Sequence, residues 1–375
     1  MQTESLNTNV PIADSTSPSK HRFPWKWNLA DLQDRPKNGK KVFSCFSCGG
    51  GSSMGYKLAG YDLIGNVEID PAIIELYRKN HHPKYSYLLD VRDFCAIPDD
   101  ELPPELFDLD ILDGSPPCSV FSMAGMRVKD EAEDRGTGLN RKKKFREGQK
   151  EQRLDDLFFW FIKIAAKLKP RVVIAENVVG LLRGTARGYV NEIIKAFDEA
   201  GYIVQLFHLN AAKMGVPQAR ERVFFICRRK DLFRDAAKLV LDFNEPPISY
   251  AQIKTGTGNP VNPDSMAGRL ISHRRPGDRD FSDINKRLRG MPNSGFTMQI
   301  VSDHRVCCTI TANGGFYRMT EGTALTDQDY INAQTFPQDY DFGKQSVQYV
   351  CGMSVPPVMM AQISAQIYEQ WLSKL

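Results

Sequence analysis

The sequence predicts an α/β protein built on a doubly wound, mostly parallel sheet, with a second, smaller and irregular domain. Three observations carry this. Short apolar runs of strand character alternate with helical periods from about residue 41 to 227. Those runs end in turns that carry glycine, proline or an acid. After about residue 228 the alternation stops, and to about 309 the chain is rich in Gly, Pro, Asn, Asp and Arg.

Residues 1–39 are rich in Ser, Thr, Asn, Pro and Lys without a sustained period and read as a flexible arm or an irregular lead-in, with Trp25 and Trp27 marking a docking point at its end. A strand at 41–44 leads through a glycine-rich turn into a helix at 53–59. A second strand at 61–68 precedes a helix at 71–80, whose first position is Pro71, where proline suits a helix start. A short strand is expected at 87–89 and an apolar one at 109–112. Leu154, Leu157, Phe158, Phe161, Ile162 and Ala165 fall on one face of a helix at 154–168. A buried strand at 172–175 follows, then a helix at 191–200 stopped by Gly201. Residues 203–209 and 223–227 read as a strand pair around a loop, and 357–372 as an amphipathic helix. The division expected is an arm (1–39), a larger domain (40–227 plus 343–375) and a smaller one (228–342).

Of 375 residues, 42% are hydrophobic and 25% charged, enough for a packed core. No apolar run approaches the ~18 residues that span a bilayer, and the N-terminus has no basic head followed by an apolar stretch. Eight cysteines without a disulfide-framework spacing fit a reduced compartment. Together these predict a soluble cytoplasmic protein with no membrane partner. Cys45 and Cys48 form one CxxC, but no second pair follows at zinc spacing, so a tight turn is read there and no metal. The net charge of +4 is weak evidence for a polyanion partner. Its distribution says more: Arg141, Lys142, Lys143, Lys144 and Arg146 form one cluster. Arg269, Arg274, Arg275, Arg279, Lys286, Arg287 and Arg289 form a sparser one.

Chemistry gathers where strands end. Phe46, Ser47, Cys48, Gly49, Gly50 and Gly51 follow the first strand and open a helix, so backbone amides and bare glycines admit a ligand closely. Glu68 ends the next strand about twenty residues on, where an acid binds ribose hydroxyls, and Asp90 ends the third. Ordinary strand-end turns are the alternative for both acids. Pro116 and Pro117 stiffen the approach to Cys118 at the carboxyl end of a buried strand. A thiolate there is a nucleophile, and a structural cysteine is the alternative. Glu176 leaves another buried strand toward the same edge, where a protonated carboxyl would donate a proton, and a structural strand-end glutamate is the alternative. Gln218, Arg220 and Arg222 alternate before a strand and so share one face, suiting anion or base-edge contacts or a solvated turn.

In this order the pieces resemble the cytosine-5 DNA methyltransferase family. The matching segments are the Phe46 glycine loop, Glu68, Asp90, Gly114-Ser115-Pro116-Pro117-Cys118, Glu176-Asn177-Val178, residues 218–222, the stretch 325–342 with Gln334-Thr335-Phe336-Pro337, and Gly352-Met353-Ser354-Val355-Pro356-Pro357. The resemblance covers about 41–228 and 306–375. It implies a Rossmann-like methyltransferase sheet, with the smaller domain as target-recognition segment. It implies transfer of a methyl group from S-adenosylmethionine to carbon 5 of a cytosine flipped out of double-stranded DNA. Cys118 would be the nucleophile, Glu176 would hold N3 and the exocyclic amine, Arg222 would bind O2, Arg220 would support the site and nearby phosphate, and Asn177 would brace the loop bearing Cys118. Phe46, Gly50, Gly51, Glu68, Ile69, Asp90, Val91, Pro116 and Ser354 would line the donor pocket, with Ile69 and Val91 against adenine. Residues 121–153 take the place of the catalytic loop. DNA contacts are expected from Ser119, Arg141, Lys142, Lys143, Lys144 and Gln218, and in the recognition segment from Arg274, Arg275, Arg279 and Arg287, on a short site and with a monomer acting. Action on RNA and a non-catalytic DNA-binding regulator are the alternatives. Three departures stand out: Cys48 where the family prefers glycine (with Gly49 where it often has cysteine), Ser119 where glutamine is usual, and Met353 where asparagine is usual. Met353 is expected to alter packing in the donor pocket.

Overall fold

The computed structural model describes residues 21–117, 156–182, 186–233, 235–290 and 298–375, with the backbone of two short strands, Lys142–Lys143 and Gln152–Arg153, paired antiparallel. Among the described residues seven strands form the central sheet: β1 (Lys41–Cys45), β2 (Asp62–Glu68), β3 (Tyr85–Leu88), β4 (Ile111–Gly114), β5 (Val172–Val178), β6 (Tyr202–Asn210) and β7 (Glu221–Arg229). Their spatial order is β3-β2-β1-β4-β5-β7-β6. Every pairing from β3 across to β5 is parallel, and β7 runs antiparallel to both its neighbours. The expected doubly wound, mostly parallel sheet is therefore present, and the strand pair read around residue 215 is its antiparallel edge.

Helices cover both faces. They are α1 (Gly51–Leu58), α2 (Pro71–His81), α3 (Val91–Ala96), α4 (Leu157–Leu168) and α5 (Ala186–Glu199). The period of two along β1 sends Val42 to the face packed by α1 and the C-terminal helix, and Phe43 to the face packed by α3, α4 and α5. Val172, Val173, Ile174 and Ala175 are all buried because this central strand is covered on both faces. The α2 helix starts where Pro71 suggested: the Asp70 carboxylate accepts from the Ala72 and Ile73 N–H groups, and it stops at His82 in the left-handed region.

Beyond β7 lie α6 (Met266–Ile271), α7 (Phe281–Arg289) and a parallel pair, β8 (Gln299–Val301) and β9 (Phe316–Arg318). They enclose a small core of Leu270, Ile271, Phe281, Ile284, Ile300 and Tyr317. The chain then returns through α8 (Asp327–Gln334), α9 (Val347–Met353) and α10 (Pro357–Gln370). Leu325, Tyr330, Ile331, Phe336 and Tyr340 belong to the larger core, although the sequence put the boundary near residue 342. A fully buried ion pair, Arg318 Nη2 to Asp329 Oδ2 at 2.6 Å, joins β9 to α8.

From residue 21 onward the lead-in is irregular apart from one short turn at Leu29–Leu32, and it is docked on the body. Phe23, Trp27 and Leu32 are buried. The Trp27 indole N–H donates to the Thr335 carbonyl at 2.9 Å, and the Asp339 carboxylate accepts from the N–H groups of Leu29 (2.6 Å) and Ala30 (3.1 Å). Apolar side chains too sparse to show a period still find a surface to bury against. Among the described residues no helix is long and apolar enough to cross a membrane.

Candidate active site

Parallel strands put their carboxyl ends on one edge, and the sheet order sorts that edge into two halves. On one half stand Asp90 beyond β3, Glu68 on β2 and the glycine loop after β1. On the other stand Pro116 and Pro117 after β4 and Glu176 and Asn177 on β5. Because β7 runs the other way, its first residues, including Arg222, arrive at the same edge. The switch in strand order falls between β1 and β4, where open α/β sheets bind ligands.

The first half is built around the glycine loop. Phe46 (φ 54°), Cys48 (φ 46°) and Gly50 (φ 77°) are all left-handed, a region that costs a non-glycine residue free energy. A Cβ on Gly50 would fall 2.0 Å from His81 Nε2, and one on Gly51 would fall 2.1 Å from the Val355 carbonyl oxygen. His81 and the segment after α9 thus press on the loop from behind, and only bare backbone fits. The left-handed φ of Cys48 is also a physical reason for glycine to be usual there. Burial and then the Glu68 carboxylate push the Cys48 thiol up to about 12, so it stays protonated near neutrality.

Glu68 is held by three backbone N–H groups: Cys48 to Oε2 at 3.0 Å, and Ile69 and Asp70 to Oε1 at 2.9 and 3.1 Å. Burial pushes its pKa up against those three donors. Leu88, paired with Glu68 across the sheet, and Ile69 leave apolar surface open, 44% and 39% exposed. Asp90 caps α3, and Val91 beside it is buried. An anchored carboxylate beside open apolar side chains is the chemistry a nucleoside needs, a polar clamp for ribose and flat surface for a base, so these residues fit S-adenosylmethionine.

In the second half, Glu176 Oε1 and Arg222 Nε are 2.8 Å apart. The register explains it: Phe224 faces Glu176 and Arg222 faces Val178, so Arg222 is the diagonal neighbour on the same face. Asn177 donates from Nδ2 to the Pro116 carbonyl at 3.1 Å, tying β5 to the turn that leads to residue 118. Beneath them Asp113 accepts from Ser44 Oγ at 3.0 Å and Tyr56 OH at 3.1 Å. Burial, with the charge of Glu176 adding to it, raises Asp113 to about 7. Cys118, Ser119, Arg141 and Lys144 lie outside the described residues, and of Lys142 and Lys143 only the backbone is described.

Two expectations about the 218–222 segment are corrected. Gln218 is fully buried, not open to a base edge. Its Nε2 donates to the Ala333 carbonyl (3.2 Å) and Gln334 Oε1 (2.5 Å), and its Oε1 accepts from Ile310 N–H (3.0 Å). Arg220 does not reach toward phosphate. It is buried and donates to the carbonyls of Ile310 at 2.8 Å and Gly352 at 2.9 Å, and desolvation pushes its pKa well down. Met353 is 54% exposed at the end of α9. Ser354 next to it is buried: its hydroxyl donates to Val350 O at 2.8 Å, and its carbonyl accepts from Gln334 Nε2 at 2.7 Å. Gln334 joins Gln218, 116 positions upstream, to the Ser354 carbonyl, and no local pattern reveals the first of these contacts.

In the small lobe, Arg274 is spent on the carbonyls of Ile271, Met319 and Thr320. Arg287 grips both oxygens of Asp278 at 2.7 and 2.9 Å. Arg275 and Arg279 are exposed, Arg279 beside Asp283.

The comparisons agree with this geometry. The family profile for C-5 cytosine-specific DNA methylase matches residues 40–369. The chain is similar to the type II methyltransferase M.NgoPII of Neisseria gonorrhoeae, 29% identical over 88% of this chain and 96% of that protein. It is also similar to M1.HphI of Haemophilus parahaemolyticus, 29% identical over 86% of this chain and 85% of that one. A solved DNA modification methyltransferase encoded within an E. coli prophage superposes with a TM-score of 0.61 at 19% identity, covering 88% of this chain and 99% of its own. DNMT2 of Spodoptera frugiperda superposes at 0.57 with 16% identity, covering 88% and 100%; at these identities both structures speak for the fold. The chain belongs to the C-5 cytosine-specific DNA methylase family and is a DNA cytosine-5 methyltransferase that uses S-adenosylmethionine.

Proposed function

We propose that this enzyme acts through Cys118, with Glu176 and Arg222 gripping a cytosine flipped out of a short site in duplex DNA. The observation that carries this reading is the Glu176–Arg222 ion pair on the sheet edge, one strand from the Pro116 carbonyl that Asn177 holds. A carboxyl and a guanidinium side by side offer what one edge of cytosine needs. Glu176 meets N3 and the exocyclic amine, and Arg222 donates to O2. The Cys118 thiolate forms a bond to C6, the displaced ring electrons move toward C5 and N3, and Glu176, having taken up a proton from water as the base enters, supplies it at N3. When bound, S-adenosylmethionine supplies the methyl group that C5 acquires. Loss of the C5 proton to water then restores the ring as the C6–sulfur bond breaks, Cys118 leaves as a thiolate and N3 returns its proton to Glu176.

Phe46, Gly50, Gly51, Glu68, Ile69, Asp90, Val91, Pro116 and Ser354 would hold the donor, with Glu68 on the ribose and Ile69 and Val91 at the adenine. The lobe around α6 and α7 would read the site through Arg275 and Arg279, whose side chains are open, with the Arg141–Lys144 cluster and Ser119 meeting the DNA backbone. The protein would act as a monomer in the cytoplasm.

The test is trapping on a 5-fluorocytosine duplex in the presence of the donor. A covalent adduct with DNA that disappears in Cys118→Ser supports the reading. An adduct formed only with RNA, or none, sinks it. Neutralising Arg141, Lys142, Lys143 and Lys144 should flatten the dependence of DNA affinity on salt concentration, and an unchanged slope rules out their phosphate role.

A further inference from the structure

Asp90 is gripped more firmly than a helix cap requires. Its Oδ1 accepts from the Arg92 backbone N–H at 2.8 Å, and its Oδ2 accepts from Arg92 Nη1 at 3.0 Å. One residue therefore holds both oxygens. The terminal torsion of an aspartate is broad, so a single N–H would leave the carboxylate plane free to turn. Arg92 is itself fixed from the far side, where Nη2 donates to Asp156 Oδ1 at 2.5 Å. Asp156 stands at the N-cap of α4 and makes no side-chain cap bond there. Its carboxylate is turned to Arg92, and its other oxygen accepts from the Trp160 indole N–H at 3.3 Å. An aspartate that leaves its own helix end uncapped to hold an arginine indicates that the orientation of that arginine matters.

We infer that Arg92, braced by Asp156, is a positioning residue that sets the plane of the Asp90 carboxylate so that it accepts from the exocyclic amine of the donor's adenine. The inference rests on the reading of Ile69 and Val91 as the adenine site. A fixed carboxylate offers only acceptors. It suits a 6-amino group and repels the 6-oxo group of hypoxanthine, so the site built this way rejects the deaminated ring. If Arg92 were only part of the packing between α3 and α4, its loss would weaken both rings alike.

The experiment is calorimetric titration of the full chain with S-adenosylhomocysteine and with S-inosylhomocysteine. The wild type should prefer the adenosyl compound by about tenfold or more. Arg92→Met and Asp156→Asn should each bring that preference to within about threefold, by weakening the adenosyl compound while the inosyl compound changes little. Arg92→Lys, which keeps the charge but loses the two-nitrogen grip, should fall between. Equal weakening of both compounds, or an unchanged preference, overturns the inference. Should Arg92→Met fail to fold, Asp156→Asn decides by the same ratio. A wild type that binds neither compound refutes the donor-site reading itself, and a wild type that binds both equally refutes this inference alone.

Discussion

Arg222 Nε stands 2.8 Å from Glu176 Oε1 across the antiparallel junction of β7 and β5, with both side chains largely buried. The pair satisfies each charge before any base arrives, and a flipped cytosine would share contacts already aligned. Glu176→Gln should lower the single-turnover rate by about a hundredfold or more while the protein still folds. Arg222→Met should cost about 1–3 kcal/mol in urea denaturation as well as activity, because it leaves a carboxylate without its partner. The double variant should regain part of that stability and none of the rate. A double variant less stable than Arg222→Met would count against the pair.

Gln218 and Gln334 form the centre of a buried amide chain that runs from Ile310 N–H to the Ser354 carbonyl. Gln218→Leu and Gln334→Leu should each cost about 1–3 kcal/mol through orphaned buried groups. Their effects should fall short of additive, because each variant already breaks the bond that the other would break. Gln334→Leu should also raise the KM for S-adenosylmethionine, since Ser354 loses the bond that fixes its backbone. Strict additivity in denaturation would argue against the chain acting as one unit.

Gly50 combines a φ of 77° with a Cβ position 2.0 Å from the His81 ring. Gly50→Ala should destabilise by about 2 kcal/mol or more and weaken donor binding. Adding His81→Ala removes the overlap and leaves the backbone strain, so recovery should be partial. At Cys48, whose φ is 46°, glycine relieves strain, and Cys48→Gly should be neutral or stabilising by up to about 1 kcal/mol. Thermal denaturation with and without S-adenosylhomocysteine measures both effects.

Asp113 brings a pH dependence with a definite sign. Its ordinary value is 3.8, and burial raises it to about 7 in the folded chain. Between those values the folded state holds a proton that the unfolded state has released. This stabilising contribution is complete below about pH 4 and is lost as pH rises through about 7. Asp113→Asn cannot ionise, so wild-type stability relative to the variant should fall by up to about 1.4 kcal/mol per pH unit across that window. Parallel stability profiles from pH 4.5 to 8 would show that Asp113 titrates normally.

Much of this protein is legible along its chain. The order of strands and helices follows from periods of two and 3.6, and the strand ends are marked by glycine, proline and acids. In a parallel sheet those ends must share an edge, which is why the sequence alone brings Glu68, Asp90, Pro116 and Glu176 together. Less legible was the segment from His21 to Leu32, where Phe23, Trp27 and Leu32 dock at spacings that match no regular element. The positions of α6 and α7 were also unread, since they are too short to declare a period.

The sequence by itself determined the fold class, the edge on which the chemistry sits and the residue types placed there. Only the tertiary structure decided which of those residues face outward. Gln218, Arg220 and Arg222 alternate, so the chain puts them on one face, but alternation cannot say what covers that face. Residues 307–312 and the Gln334 side chain cross over the first two and leave Arg222 beside Glu176. Arg274 and Arg287 were likewise drawn into the lobe they seemed to decorate, by carbonyls and a carboxylate within reach only once the chain had folded. A polar side chain goes where its hydrogen-bonding needs are met at least cost in desolvation, and those partners are set by contacts distant in sequence.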